Sequence, residues 1–506
     1  MRPDGRTVLG AALACTALVA AGCAVRHPTA APPPADADKA PIARAAHPAE
    51  PFEGSFRAAL EAAPAGTWFP ALIDLTEQVD LPALGATLRS RGLSKEARRD
   101  AVVEALESVA EAQQSRLQPL LEGLSADGTL GSVRRLAIVN RLAIEAQAPA
   151  ILAIAGRPEV RRVLPEWTSA GRGRAPLASP EPAGAAAPGE RFRSWAIEAI
   201  GADRAWALGF DGAGVVVAAL DTGVLAEHEQ FAGRALEGER GWYDPVEGRE
   251  RPWDSHGHGT TVLSQAVGGN PGGHVVGIAP RARWAAALAN HRNHYSRVRM
   301  SLAADWVLRS ARPDVLVNAW SHDEGACSDF DLAFINAWKA AEIFVVFPAG
   351  NGGPRPGSGE APAQLTGAYP DGRGVFAVGG LEPGGMPGPE SSRGPSPCGN
   401  REFPTLAAPG TGLPYAFPPS PSNYGNGDGT SLAAGIVAGA AALLLQARPS
   451  LSPDELEDLL VASARDVPPG GPDPLSGAGA LDLVAAFRRL GIELPPARSA
   501  APQSAP

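Results

Sequence analysis

Residues 215–224 read Val-Val-Val-Ala-Ala-Leu-Asp-Thr-Gly-Val, six apolar residues in succession closed by one carboxylate. A strand with one wet face alternates apolar and polar side chains, whereas a strand covered on both faces does not. The run therefore predicts a central strand of a parallel sheet with helices on both sides. The unbroken apolar pattern recurs in DVLVNAW (314–320), IFVVF (343–347) and GVFAVGG (374–380), with helix-length segments between. The fold class is α/β, a three-layer parallel sheet with helices on both faces, over residues 191–490.

In such a sheet, ligands gather beyond the carboxyl ends of the strands, so the residues just past each run are informative. After the first comes Asp221, a carboxylate that is costly to desolvate unless it has a partner such as a histidine N–H. DSHGHGTTV (254–262) offers His258, with Gly257 and Gly259 on either side to let the backbone turn tightly. IFVVF leads into PAGNGG, which sets the amide of Asn351 in a loop of small residues. GDGTSLAAGIVAGAAALLL (427–445) places Ser431 at the start of an apolar helix. There the backbone N–H groups favour a developing negative charge.

Each piece has a duller reading. Asp221 could cap a turn, Asn351 could belong to one, and Ser431 could be an N-cap. His256 with His258, or His291 with His294, could be read as metal ligands, but neither pair has a third candidate nearby, so no metal is assigned. The apolar run 432–445 is shorter than the ~20 residues a bilayer needs. Taken together the four residues form a set. Ser431 attacks a carbonyl carbon, His258 carries the proton and Asp221 orients the imidazole. Asn351 and the Ser431 N–H hold the oxyanion.

The order Asp…His…Ser and seven short matches then point to one family. VVVAALDTGV, GHGTTV, GIAP (277–280), PAGN, SSRGP (391–395), AAPG (407–410) and GTSLAA (429–434) run in sequence along the chain. In these the chain resembles the subtilisin-like serine peptidases, and AWKAAEIFVVFPAGNGGP (337–354) resembles the bacillopeptidase F-like branch. The resemblance implies an endopeptidase acting on proteins or peptides through an acyl-enzyme. It implies no cofactor for the chemistry. Many relatives bind structural calcium, but no ligands are assignable here.

It also implies a substrate cleft that includes Trp320, Ser321 and Gly350. Ala368, just before Tyr369-Pro370, would sit at a pocket floor with room for a large apolar side chain. The chain departs from the family pattern at Thr261, Ser264, Leu432 and Gly435, and WSHDEG (320–325) replaces the usual substrate strand. A catalytically silent surface-binding protein is the competing reading, although such a scaffold should have lost one of the four groups. An esterase lacks support, because Ala433 stands where a Gly-x-Ser-x-Gly elbow needs glycine.

The 506 residues exceed one ordinary core. Residues 1–23 read as a lipoprotein-type signal: Arg2 and Arg6, an apolar stretch, then VAAGC ending at Cys23, the residue to be lipidated. Ala20 departs from that motif's usual Leu. Residues 24–66 are rich in Pro and Ala and read as a tether. Residues 67–167 read as a small unit of order β-α-β-β-α-β, a ferredoxin-like arrangement. The family resemblance makes this unit a pro-domain, both inhibitor and folding helper. Residues 168–190 read as an open linker with the processing site, and 491–506 as a disordered tail.

Export implies an oxidising compartment. With Cys15 and Cys23 in the leader, Cys327 and Cys398 remain as a disulfide or as two buried thiols. The product would be an envelope lipoprotein or a secreted protein, with a membrane touched only through lipid. The net charge of −10 without a basic block argues against nucleic acid.

Overall fold

The computed structural model describes residues 40–166, 168–170, 192–269, 273–322, 327–366, 373–399 and 402–497. The leader with Cys23, tether residues 24–39, linker residues 171–190, Arg191, Ala368 and residues 498–506 lie outside the described residues.

Seven parallel strands form the main sheet. Their spatial order is Leu406–Pro409, Phe376–Leu381, Phe344–Pro348, Val315–Val317, Val216–Asp221, Arg283–Leu288 and Trp242–Tyr243. The opening run behaves as its composition demands. Val217 and Ala219 enter one hydrophobic core and Ala218 and Leu220 the other, so both faces of the strand are covered. Helices His258–Val267 and Thr430–Ala447 pack on the first face; Arg297–Trp306 and Phe330–Ala340 pack on the second.

Helix Thr430–Ala447 is buried continuously from Thr430 to Leu445. It is long and apolar enough to cross a membrane, yet 89% of its apolar stretch lies inside the fold. Its small residues have a steric cause. A Cβ on Gly439 would lie 2.6 Å from the Ile278 Cβ and 2.7 Å from the Ala266 carbonyl oxygen. Only a glycine lets this helix approach its neighbour so closely.

The N-terminal unit has the expected element order. Strand Trp68–Leu75 is followed by an added short strand, Glu77–Val79, by helices Leu81–Ser90 and Lys95–Ala126, then by strands Leu130–Leu136 and Arg141–Gln147. Helix Ala148–Ala155 and strand Val160–Pro165 complete it. Ser94 caps the long helix by accepting the Ala97 N–H. Strands 130–136, 141–147, 68–75 and 160–165 lie side by side in that order, all antiparallel, which is the ferredoxin-like arrangement.

Three boundaries differ from the sequence reading. Residues 40–66 are not a bare tether: Ile42–Arg44 pairs with Glu77–Val79, and Phe52, Phe56 and Leu60 are buried with Ile73 and Ile144. Three large apolar side chains within nine residues suffice to anchor a Pro/Ala-rich segment. The linker begins as a strand, because Thr168–Ala170 pairs antiparallel with His294–Ser296. The tail remains folded to residue 497, with Leu494 buried and Arg204 donating to the Pro495 carbonyl.

The small unit rests on helices Arg297–Trp306 and Phe330–Ala340, and Leu72, Val102 and Leu164 share a core with Met300, Phe330 and Phe334. Several buried polar groups crossing this interface are paired. Glu166 accepts the N–H groups of Arg297 and Val298 and the Ser296 hydroxyl, capping the first of those helices. Asp305 returns the pattern by accepting from Ala137 and Ile138. Arg99 donates to the carbonyls of Arg312, Pro313 and Ala341.

Candidate active site

Four distant segments meet at the carboxyl edge of the sheet. Strand 216–221 ends in Asp221, strand 344–348 runs on to Asn351, and two helices begin at His258 and Thr430. His258, Asn351 and Ser431 line one cavity of about 650 Å³ together with Trp320, Ser321 and Gly350. The structure thus brings the predicted cleft residues together, apart from Ala368, which is not described.

The imidazole is held first. His258 Nδ1 lies 2.7 Å from Asp221 Oδ1, which also accepts the Thr222 N–H at 2.7 Å. Asp221 is only 2% exposed. Close approach is possible because position 259 is glycine: a Cβ there would fall 2.1 Å from the Gly223 carbonyl oxygen. Burial alone would push the His258 pKa down. The Asp221 carboxylate, its hydrogen bond and Asp254 outweigh that and hold it above the ordinary histidine value.

Asp254 is a residue that sequence reasoning missed. Its Oδ1 accepts from Thr222 Oγ1, His256 N and Gly257 N at 2.7, 3.0 and 2.7 Å. Its Oδ2 accepts Thr260 N at 2.9 Å and Thr260 Oγ1 at 2.6 Å. One carboxylate therefore gathers the turn that seats His258. The readable signal was an Asp just ahead of a Ser-His-Gly turn, where a short acidic side chain captures local N–H groups.

Asn351 is oriented by Thr430, whose N–H and hydroxyl both donate to Oδ1 at 3.0 Å. That assigns Nδ2 as the amide group left to donate toward the cavity. Gly429, at φ +152°, sits between the donors: its missing Cβ would lie 3.9 Å from Asn351 Nδ2 and 4.0 Å from the Ser431 nitrogen. A side chain there would occupy the space between the two N–H groups. The Ser431 hydroxyl makes no hydrogen bond among the described residues, so its bond to His258 would have to close when substrate arrives.

Two of the departures from the family pattern, Thr261 and Ser264, have local explanations. Thr261 Oγ1 donates to the Gly257 and Ala416 carbonyls, and Ser264 Oγ accepts the Ala416 N–H, tying the helix to strand Leu413–Ala416. Trp320 borders the cleft, but His322 does not. It is 2% exposed and its Nε2 pairs with Asp331, which also accepts from Tyr295. Cys327 and Cys398 form a disulfide with 5.2 Å between Cα atoms. Among the described residues no group of three or more His, Cys, Asp or Glu side chains is placed to hold a metal ion.

A doubly covered parallel sheet with an Asp-His pair, a serine at a helix start and an oriented amide at one strand edge defines the architecture of a nucleophilic hydrolase. The family model described as "Subtilase family" matches residues 212–479, more than half of the chain. The chain belongs to the subtilase family, on its bacillopeptidase F-like branch. It is 34% identical over 396 residues to Bacillopeptidase F of Bacillus subtilis (strain 168), covering 72% of this chain and 27% of that protein. To Serine protease AprX of the same organism it is 29% identical over 282 residues, covering 49% of this chain and 61% of the relative. To Subtilisin DY of Bacillus licheniformis it is 29% identical over 294 residues, covering 58% and 97%. The chain thus spans less than two thirds of the length of the first two relatives.

Proposed function

We propose that this chain is an exported serine endopeptidase made as a self-processing zymogen. Ser431 Oγ attacks the carbonyl carbon of a peptide while His258 Nε2 takes its proton. The imidazolium is stabilised by Asp221. The Ser431 N–H and Asn351 Nδ2 receive the oxyanion. The tetrahedral adduct expels the amine, which leaves with the proton from His258, and an acyl-enzyme remains. Water, deprotonated by the same imidazole, then releases the acid and restores the serine.

The observation that carries this reading is the 2.7 Å bond between His258 Nδ1 and Asp221 Oδ1 in a cavity that also exposes Ser431 and Asn351. The zymogen part is supported by the shared core and capped helix beneath residues 40–166, and by the strand Thr168–Ala170 lying on His294–Ser296 beside the cleft. Export and lipidation at Cys23 rest on the leader motif alone. Proteins or peptides are the substrates, and the chain's own pro-domain is its inhibitor.

Treating the purified protein with a fluorophosphonate and locating the adduct by mass spectrometry tests the chemistry; the adduct is expected on Ser431 and absent in His258→Ala. Intact-mass analysis tests processing. A new N-terminus between residues 167 and 191 in wild type, absent in Ser431→Ala, is the expected result, and an uncut active chain refutes the zymogen.

A further inference from the structure

Among the described residues, carboxylates are the only fixed charges in the cavity lining. They are Glu360, Glu390 and Asp428, with no lysine or arginine among the described residues of the lining. Two of these carboxylates are engaged at one rim, where Glu390 accepts from Thr411 Oγ1 and Asp428 accepts the Gly412 N–H at 2.7 Å. Glu360 stands elsewhere. Its Oε1 accepts the Asn351 N–H at 3.3 Å and its Oε2 accepts the Ser321 hydroxyl. A Cβ on Gly350 would lie 2.7 Å from Glu360 Cγ. The carboxylate is therefore fixed between Ser321 and the Gly350–Asn351 turn, beside the residue whose amide would hold the oxyanion. A carboxylate oxygen can accept more than one hydrogen bond, so a fixed Glu360 can still receive a donor from substrate.

We propose that Glu360 sets the specificity of this cleft by selecting a lysine or arginine side chain on the residue whose carbonyl Ser431 attacks. The proposal rests on the peptidase reading and names its substrate class. A cationic side chain entering a partly desolvated cavity meets a fixed carboxylate there, whereas an apolar one makes no favourable pairing with that charge. The sequence supplies an independent match. Strand Thr168–Ala170 is paired at the edge of the cleft, and Asn293, next to its partner strand, lines the cavity. The next residues in the chain are Gly-Arg-Gly-Arg, and Arg172 and Arg174 are the only basic residues between 168 and 190. The chain's own processing segment thus offers a cation two or four residues past that strand.

The test uses matched peptides differing only at the residue before the scissile bond: Arg, Lys, Leu or Phe. For the wild-type protein, kcat/KM for Arg is expected to exceed that for Leu by about 10²-fold, the scale of a well-placed charge pair. Glu360→Gln keeps an acceptor for Ser321 but removes the charge, and should bring the Arg/Leu ratio near one. A purely structural role would lower both rates in proportion and leave the ratio unchanged. If turnover is too slow to read, competition of Arg and Leu peptide aldehydes against fluorophosphonate labelling reports the same preference. A wild-type preference for Leu or Phe, or a ratio insensitive to Glu360→Gln, overturns the proposal. Failure to label Ser431 at all would instead overturn the peptidase reading beneath it.

Discussion

Replacing Asp254 by Asn removes one negative charge and exchanges one acceptor for a donor at the turn that seats His258. If the new carbonyl keeps Thr222, His256 and Gly257, the amide nitrogen must face the Thr260 N–H, donor against donor. A buried N–H left unpaired costs about 1–3 kcal/mol, and the three retained bonds lose their charge assistance. The Thr260 hydroxyl can turn to accept, so a net loss of about 2–3 kcal/mol is expected. Asp254 is also one of the groups that raise the His258 pKa.

Two pH effects are expected, each with a definite sign. The base must be neutral, so the acid limb of kcat/KM in the wild type lies above the ordinary histidine value of about 6.5 and should move to lower pH in Asp254→Asn. Protonated His258 stabilises the fold below its unfolded pKa, and that contribution is lost as pH rises through the higher folded value. The variant should therefore lose more stability at acidic than at alkaline pH. A less firmly seated imidazole lowers the plateau rate by about 10- to 100-fold, since each 1.4 kcal/mol is tenfold. Rates on a chromogenic peptide across pH, with denaturant midpoints in a Ser431→Ala background to prevent self-digestion, measure all three. An acid limb that stays put or moves to higher pH would refute this account of the turn.

Three further outcomes are expected. Asn351→Ala should lower kcat by about 10²–10³-fold with little change in KM, because the amide acts on charge that appears only in the transition state; steady-state kinetics decides it. Gly439→Ala forces a methyl to within 2.6 Å of Ile278 Cβ and should cost about 1–3 kcal/mol in a denaturant titration of the Ser431→Ala protein. Reducing the Cys327–Cys398 bridge, which spans 71 positions, should lower stability by up to about 4 kcal/mol on the loop-entropy estimate. Midpoints with and without dithiothreitol would report it.

Much of the sheet could be read from the chain because strands covered on both faces leave unbroken apolar runs. Arg283–Leu288 does not read as such a run, because half of it is alanine, which has little preference for strands. The groups of the candidate site were legible for a chemical reason. Asp221, His258, Asn351 and Ser431 each follow an apolar run or open a helix, where a polar side chain among small residues stands out. Asp254 and Glu360 did not stand out, since their role is to accept N–H and O–H groups within loops whose path no periodicity encodes. Phe52, Phe56 and Leu60 give no readable pattern because proline and alanine dominate their surroundings. Leu494 is masked in the same way.

The placement of the proposed nucleophile at the head of a helix buried from Thr430 to Leu445 bears on how this molecule would fail. Segments with such complete enclosure exchange their amide hydrogens only when the whole domain opens. Heating should therefore not produce a folded but inert species by local fraying around Ser431. Loss of reactivity and loss of the fold should coincide in one transition.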